Sequence, residues 1–332
     1  MSVFKNTTPR FWQEGKNDWR SFALIPFAKI YAWKTAKRLQ NSKNWKAPFP
    51  VISVGNIVVG GSGKTPVTMA LADRFRRQGH TPHVVLRGYG GCLSGPVRVD
   101  ANKHSFGDVG DEALLHATVT PTWVSRDRKL GVEAAIAAGA DIILLDDAHQ
   151  NPDVAKTISF VVVDAGFGLG NGRVIPAGPL REPAAVGFAR ADAVIVIGEG
   201  SNDVSPKGVP KLDAILVPDA SNSLAAGANL LAFAGIGRPD KFFETLRVFG
   251  HSVAETVAFP DHHPFSENDG QKLTARAAQL DAQLVTTTKD WVRLPSGLQA
   301  ITVPFGVHIE WCDESMVDAL LEKAMGNGTA NR

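Results

Sequence analysis

Val51-Ile52-Ser53-Val54, followed shortly by Gly60-Gly61-Ser62-Gly63-Lys64-Thr65, is the stretch that decides the fold. The apolar run reads as a buried strand, and a helix-like segment over 68–78 follows the Lys-Thr pair. Strand, glycine turn, Lys-Thr and helix is the context in which a P-loop match gains weight. The glycines Gly60, Gly61 and Gly63, with Ser62 between them, let backbone N–H groups curl round phosphate oxygens. The start of the helix adds partial positive charge. Lys64 is placed to reach the β- and γ-phosphates, and the Thr65 hydroxyl to ligate Mg²⁺. The match is partial, because the first glycine of G-x-x-x-x-G-K-[ST] falls on Val58. The plain alternative is a glycine-rich turn that binds nothing; the flanking strand and the Lys-Thr pair favour a nucleoside triphosphate.

With 332 residues, 44% hydrophobic and 20% charged, the chain is long enough for two domains with real cores. Cys92 and Cys312 are the only cysteines, which excludes a disulfide framework and a cysteine-based zinc site and suits a reducing compartment. No apolar run is long enough for a membrane span, and the start lacks the apolar core of a cleavable signal. The expected compartment is the cytoplasm.

The net charge of +2 conceals an asymmetry: residues 1–50 carry ten Lys or Arg against Glu14 and Asp18, leaving 25 basic and 31 acidic residues for the rest. Trp19, Phe22, Ala23, Pro26, Phe27, Ile30 and Trp33 recur at helical spacing, with Pro26 expected to kink or restart the helix. Lys29, Lys34, Lys37 and Arg38 gather toward its end. Such a helix suits the interface of an anionic membrane, the alternative being a helix packed on the protein's own core. Nucleic acid is disfavoured as a partner, because the basic residues do not continue through the body of the chain.

Elsewhere strand-like and helix-like segments alternate, as in a mostly parallel α/β sheet with helices on both faces. The expected strands are 83–86, 123–125, 141–145, 159–164, 193–197, 214–217, 230–234, 284–288 and 307–311. Helices are expected at 112–117, 127–138, 241–249, 267–278 and 314–324, with the end of the chain from 326 frayed. A turn-rich stretch, 201–227, is the candidate hinge. It divides the chain into an N-terminal helix (1–47), a P-loop core (48–200) and a smaller C-terminal α/β lobe (228–332).

Ile142-Ile143-Leu144-Leu145-Asp146-Asp147 has the form of a Walker B strand, which delivers a carboxylate to the sheet edge beside the phosphate loop. Mg²⁺ needs only one or two such carboxylates. For the acceptor hydroxyl two candidates stand out. Asp111, in Gly110-Asp111-Glu112, is either a base or a helix N-cap. Asp261-His262-His263 is either a surface loop or a pair in which Asp261 orients the imidazole for proton transfer.

Together these motifs resemble the tetraacyldisaccharide 4′-kinases, the lipid A 4′-kinases of Gram-negative bacteria, over nearly the whole chain. The resemblance rests on Val54-Gly55-Asn56-Ile57 leading into Gly60-Gly61-Ser62-Gly63-Lys64-Thr65-Pro66, and on Arg87-Gly88-Tyr89-Gly90, Gly110-Asp111-Glu112 and Asp127-Arg128. It continues through Asp146-Asp147 with Gln150, Pro176-Ala177-Gly178-Pro179-Leu180-Arg181-Glu182 and Gly235-Ile236-Gly237. It closes with Phe259-Pro260-Asp261-His262-His263 and Thr288-Lys289-Asp290. A loop without glycine at position 58 is itself how this family looks.

The resemblance implies a two-lobed P-loop NTPase-type α/β protein, peripheral on the cytoplasmic face of the inner membrane through its N-terminal helix and acting as a monomer. The implied reaction moves the γ-phosphoryl group of ATP to the 4′-hydroxyl of tetraacyldisaccharide 1-phosphate, a lipid A precursor, giving lipid IVA. Lys64 and Thr65 would serve the Mg·ATP triphosphate, with Asp146, Asp147 and Glu112 around Mg²⁺. Asp111, partnered by His262 with Asp261 behind it, would orient and deprotonate the hydroxyl. Asn56, Arg87, Tyr89, Arg128, Gln150 and Arg181 would line the site, and Lys289 and Asp290 would contact the nucleotide. The dyad would form when the lobes close.

Some positions depart from the family pattern. Ala148, His149 and Asn151 surround Gln150, Ala113 follows Asp111-Glu112, and Arg238 stands where a short Asn is common. Rival classes are a regulatory or metal-delivering GTPase, a non-catalytic membrane-binding protein and a soluble small-molecule kinase. The first lacks a guanine motif, since Thr288-Lys289-Asp290-Trp291 misplaces the Asp. Lys64, Thr65 and Asp146 argue against the second, and the third has no need of the aromatic N-terminal segment.

Overall fold

A computed structural model describes residues 9–13, 18–40, 44–200, 204–225 and 227–329. Thirteen strands run in chain order as β1 (Val51–Gly55), β2 (Pro82–Leu86), β3 (Val97–Arg98), β4 (Thr122–Val124), β5 (Ile142–Asp146), β6 (Ile158–Asp164), β7 (Ala193–Ile197), β8 (Lys211–Pro218), β9 (Asn229–Ala234), β10 (Ser252–Ala258), β11 (Ala282–Thr287), β12 (Thr302–Phe305) and β13 (Val307–Trp311). They form a nine-stranded sheet of order β13-β8-β7-β6-β1-β5-β2-β4-β3 and a four-stranded sheet of order β10-β9-β11-β12. The large sheet is parallel apart from the antiparallel β13 and β3 at its edges, and the small sheet is wholly parallel.

Helices cover both faces of the large sheet, so its central strands are buried throughout and read as continuous apolar runs. β1 lies between β5 and β6, and the pairing of Val54 with Asp146 brings the end of β1 level with the end of β5. Ligands bind at such carboxyl ends. The helix Lys64–Arg77 follows, with Pro66 accepted in its first turn. It buries Val67, Thr68, Leu71, Ala72 and Phe75, spaced three and four apart, against the sheet.

The expected domain boundaries need correction. Within 201–227 the strand expected at 214–217 is β8, which begins earlier, at Lys211, and pairs in parallel with β7, so the segment also extends the large sheet. Residues 201–203 and 226 of that segment lie outside the described residues. The end of the chain also leaves the second lobe, because β13 pairs antiparallel with β8 and the helix Glu314–Thr329 packs Val317 and Leu321 into the large core. Arg74 of the phosphate-loop helix forms ion pairs with Glu314 and Asp318. The chain therefore crosses between the lobes twice. The helix extends past the expected end at 324 as far as Thr329, and 330–332 lie outside the described residues.

Strands β3, β10 and β12 and several short helices were not expected. β12 is an edge strand whose Pro304 reads as a strand breaker, and β10 is an edge strand with a polar alternate face.

At the N-terminus, helices Trp19–Ala23 and Ile25–Gln40 meet at Leu24, with Pro26 in the first turn of the second. Residues 1–8, 14–17 and 41–43 of the basic segment lie outside the described residues. The pair is anchored by Trp12 Nε1 donating to the Pro176 carbonyl at 3.1 Å and by Arg173 Nη1 donating to Ser21 Oγ at 2.7 Å. Ser21 and Ala28 face inward, whereas Trp19, Phe27 and Trp33 are 76%, 61% and 60% exposed. The alternative of a stripe packed on the protein's own core is thereby corrected.

Candidate active site

The absence of a first loop glycine has a physical reason. Val58 is buried and bridges to Leu180, Val59 N–H donates to the Pro179 carbonyl at 2.9 Å, and Arg181 N–H donates to the Ile57 carbonyl at 2.8 Å. The 179–181 segment thus braces the first arm of the loop, and position 58 belongs to the core. Asn56 is fully buried and donates from Nδ2 to Ser62 Oγ at 3.0 Å, tying the loop's middle to its root. Gly63 caps the helix at φ 89°, where a Cβ would also fall 2.5 Å from Ile197 Cδ1; only glycine fits. Thr65 sits half-buried in the first turn, and its hydroxyl makes no hydrogen bond within the described residues.

Beside the loop, Asp147 holds the unusual non-glycine φ of 51°. Its Oδ1 accepts from Arg181 Nη1 at 2.7 Å and lies 3.7 Å from Lys64 Nζ. Burial alone would raise this carboxyl; Lys64, Arg181 and Arg128 outweigh it and hold the group far below the usual carboxylate range. Asp146 is 1% exposed: Oδ2 meets His116 Nε2 at 2.7 Å, while Oδ1 is buried with no partner. His116, fully buried, was not singled out in the sequence, where it is one more residue of an amphipathic helix.

Asp111 is the first residue of the helix Asp111–Ala117, and Gly110 is its N-cap, which corrects the N-cap alternative. Gly110 takes φ 85°, and a Cβ there would strike the Tyr89 carbonyl, so the 87–90 turn lies directly on the helix start. The Asp111 side chain crosses to the second lobe, where His262 Nδ1 lies 3.0 Å from Oδ2. A carboxylate can only accept, so Nδ1 carries the proton and Nε2 is left to the cleft. The imidazole is oriented by Asp111 and not by Asp261, whose Oδ1 stands 3.9 Å from Nε2, beyond hydrogen-bond reach. Tyr89, 68% exposed, packs on the His262 ring at 5.3 Å. Burial would raise the Asp111 carboxyl, but the His262 hydrogen bond with the charges of Lys289, His262 and Arg293 brings it below its ordinary value.

Arg293 is a further residue the motifs missed. It is 2% exposed, with Nε 3.4 Å from Asp111 Oδ2 and Nη2 2.6 Å from Asp290 Oδ1. Asp290 also accepts from Gly235 N–H at 2.9 Å and Thr287 Oγ1 at 2.6 Å. Its oxygens are engaged inside the second lobe, away from the phosphate loop. Lys289 turns to Glu112 Oε1 at 3.0 Å, so this pair ties the lobes together beside the dyad. Against the penalty of burial, the mutual attraction of this pair raises the Lys289 ammonium pKa and lowers that of the Glu112 carboxyl.

Of the remaining cations, Arg87 is exposed, while Arg128 is 4% exposed and donates from Nη1 to the Ser125 carbonyl at 2.7 Å. Its Nε has no partner, and burial pushes its pKa down to about 10 despite Asp147 and Asp146 nearby. Gln150 is buried and donates from Nε2 to the Asn56 carbonyl at 2.8 Å and to Glu182 Oε1 at 2.9 Å, so it supports the root of the loop. His149 fills the space beneath β1: a Cβ on Gly55 would lie 2.5 Å from its Cβ.

The site combines an anion cradle, a free lone pair on a buried carboxylate and an Asp-His pair spanning two lobes. The donors fit Mg²⁺: they are hard oxygens, Asp146 Oδ1 is buried without a partner, and the Thr65 hydroxyl stands in the first helical turn after the loop. Among the described residues no group of three or more His, Cys, Asp or Glu is placed to hold a metal ion.

The sequence profile of the family described as tetraacyldisaccharide-1-P 4′-kinase matches residues 20–326. The tetraacyldisaccharide 4′-kinase of Rhodospirillum centenum is 48% identical over 320 residues, covering 94% of this chain and 95% of its own. That of Paramagnetospirillum magneticum is 46% identical over 319 residues, covering 95% and 98%. A crystal structure of LpxK from Aquifex aeolicus in complex with ATP superposes with a TM-score of 0.74 at 26% identity, covering 92% of this chain and 99% of that one.

Proposed function

The chain belongs to the tetraacyldisaccharide 4′-kinase family, and from that premise we propose how its residues carry the reaction. It is an ATP-dependent lipid kinase of lipid A biosynthesis, which phosphorylates the 4′-hydroxyl of tetraacyldisaccharide 1-phosphate to form lipid IVA. The observation that carries the mechanism is the 3.0 Å contact between Asp111 and His262 beside a glycine cradle.

Backbone N–H groups of 60–65 and the start of the helix Lys64–Arg77 hold the triphosphate, with Lys64 on its β- and γ-oxygens. Asp147 keeps Lys64 and Arg181 in place. Arg128 and Arg87 offset phosphate charge. Asp111 is ionised at neutral pH, and Oδ1, which accepts from Glu112 N–H, keeps a second lone pair, while Oδ2 faces His262 and Arg293. It accepts the 4′-hydroxyl proton as the oxygen attacks the γ-phosphorus and the bond to the ADP β-phosphate oxygen breaks. The His262 Nδ1–H holds the carboxylate in place as it takes up the proton. Asp146 and Thr65 would hold Mg²⁺, with Asp147 and Glu112 beside it. When bound, the ion neutralises charge on the β- and γ-phosphate oxygens. The paired lobes exclude water that would otherwise hydrolyse ATP.

No helix among the described residues is long and apolar enough to cross a membrane. The exposed Trp19, Phe27 and Trp33 beside Lys29, Lys34, Lys37 and Arg38 suit the cytoplasmic surface of the inner membrane, where the acyl chains lie. Cradle and dyad come from one chain, which supports action as a monomer. The test is transfer of the γ-phosphoryl label of ATP to detergent-dispersed tetraacyldisaccharide 1-phosphate. Labelled lipid supports the reading; tight Mg·ATP binding with no labelled lipid would overturn it.

A further inference from the structure

The outer side of the phosphate loop makes a contact that the mechanism does not use. Arg238 stands in the second lobe, at the N-cap of the helix Pro239–Val248. Its guanidinium reaches into the first lobe: Nη2 donates to the Gly61 carbonyl at 3.0 Å, and Nη1 donates to Asp164 Oδ1 at 3.1 Å. Nη2 also lies 2.7 Å from Asp164 Oδ2, and Lys241 closes on the same carboxylate. Asp164 ends β6 and is 5% exposed. Phe167 lies under the guanidinium, with its ring centre 5.2 Å from the Arg238 carbon. The preceding Gly237 lies alongside the loop, where a Cβ would stand in ordinary contact, 3.6 Å, with Gly61 N.

This clasp lies on the β6 side of β1, whereas Asp111–His262 and Glu112–Lys289 tie the lobes on the side of β5 and β2. Within the first lobe the loop is held at Val59 by the Pro179 carbonyl and at Ser62 by Asn56, and Arg238 holds the Gly61 carbonyl from the second lobe. Gly60 has φ 110°, and a Cβ on Gly60 or Gly61 would meet nothing within 4 Å. Because the peptide is planar and trans, the Gly61 carbonyl and the Ser62 N–H point in opposite directions. A carbonyl held outward by Arg238 therefore turns the Ser62 N–H toward the cradle.

We propose that Arg238 is a positioning residue for the nucleotide: clamped by Asp164 and Lys241, it sets the Gly61–Ser62 peptide from the second lobe. Triphosphate affinity then depends on contact between the lobes. The inference rests on the kinase reading, and direct binding separates the two.

The experiment uses the full chain with Arg238→Ala, Arg238→Gln, Arg238→Lys, Asp164→Asn and the Arg238→Ala/Asp164→Asn pair. Affinity for Mg·ATP and for tripolyphosphate is measured calorimetrically without acceptor, alongside KM and kcat. The expected result for Arg238→Ala is a loss of about tenfold in affinity for both ligands, matched in KM for ATP, with kcat within about twofold. Arg238→Gln, which keeps a donor, should recover part of the loss. Arg238→Lys should recover less than wild type, because an ammonium cannot serve the carbonyl and the carboxylate in the same fork geometry. The double variant should be little worse than Arg238→Ala, since the two residues act as one unit. A folded Arg238→Ala protein with unchanged affinity and KM would overturn the proposal. So would a fall in melting temperature and kcat with KM unchanged, which marks a structural brace only. Failure of the unaltered protein to bind ATP would overturn the kinase reading itself.

Discussion

Acidification should weaken the fold through His149, directly beneath the phosphate-loop strand. His149 is 1% exposed, its Nε2 lies 2.9 Å from the Gly187 carbonyl and its Nδ1 lies 3.1 Å from Ser159 Oγ. That geometry defines a neutral ring with the proton on Nε2 and the serine hydroxyl donating to Nδ1. Burial, then Arg190, push its pKa down to about 4 against the Gly187 carbonyl and Glu182, with a smaller push from Lys156. In the unfolded chain the group titrates near the ordinary value of about 6.5. The unfolded state therefore takes up a proton that the folded state refuses. Stability falls as pH drops below about 6.5, and the loss is complete below the folded pKa of about 4. The penalty is about 2 kcal/mol at pH 5 relative to pH 8, and about 3 kcal/mol at its limit. Urea unfolding at pH 5 and pH 8 measures it, with His149→Leu as the control. The leucine variant removes the ring from Ser159 Oγ and from the Gly187 carbonyl, which keeps only the Arg190 N–H at 3.2 Å among the described residues, and should be less stable at pH 8. Its difference between the two pH values should nevertheless be smaller than wild type's by about 2 kcal/mol. An unchanged difference would refute the assignment of a neutral, proton-resisting His149.

Asp111→Asn should lower kcat by about 10²–10⁴ with the KM for ATP nearly unchanged, because it removes proton acceptance and leaves the cradle intact; steady-state kinetics within tenfold of wild type would count against Asp111 as base. His116→Leu removes the ring that meets Asp146 Oδ2 at 2.7 Å and should raise the Mg²⁺ concentration needed for ATP binding by about 10–100-fold. Calorimetric titration at varied Mg²⁺ checks this, and an unchanged Mg²⁺ dependence would mean that His116 only packs. Replacing Trp19, Phe27 and Trp33 together by Ala should abolish cosedimentation with anionic vesicles, since each exposed ring is able to bury about 1.5–3 kcal/mol of apolar surface. Retained binding would place the membrane contact elsewhere.

Much of the site was legible because its chemistry is contiguous in sequence. Gly60 to Thr65 follow a strand and open a helix, and Asp146 ends an apolar run; each pattern is local, so spacing reveals it. The unusual Val58 was legible as a departure but explicable only from its contact with Leu180, more than a hundred residues on. Asp290 and Gln150 illustrate the converse. Their motifs mark them as site residues, yet their side chains are spent on Gly235, Thr287 and Arg293, and on the Asn56 carbonyl and Glu182. A sequence motif records that a residue matters without recording which way it faces.

By itself the sequence determined the strand–loop–helix cradle, the apolar strands of a parallel sheet, the N-terminal stripe and the family. Each follows from local periodicity or from residue types at fixed spacing. Only the tertiary structure decided that Asp111 and not Asp261 orients His262, that His116 and Arg293 stand behind the two key carboxylates, and that β13 with its helix returns to the large sheet. These depend on pairings between residues as far as 182 positions apart, such as Arg293 with Asp111. Two edges of one chain meet there because the second lobe is threaded between β8 and β13. No local pattern in the chain encodes that meeting; the burial of two cores and the register between sheets do.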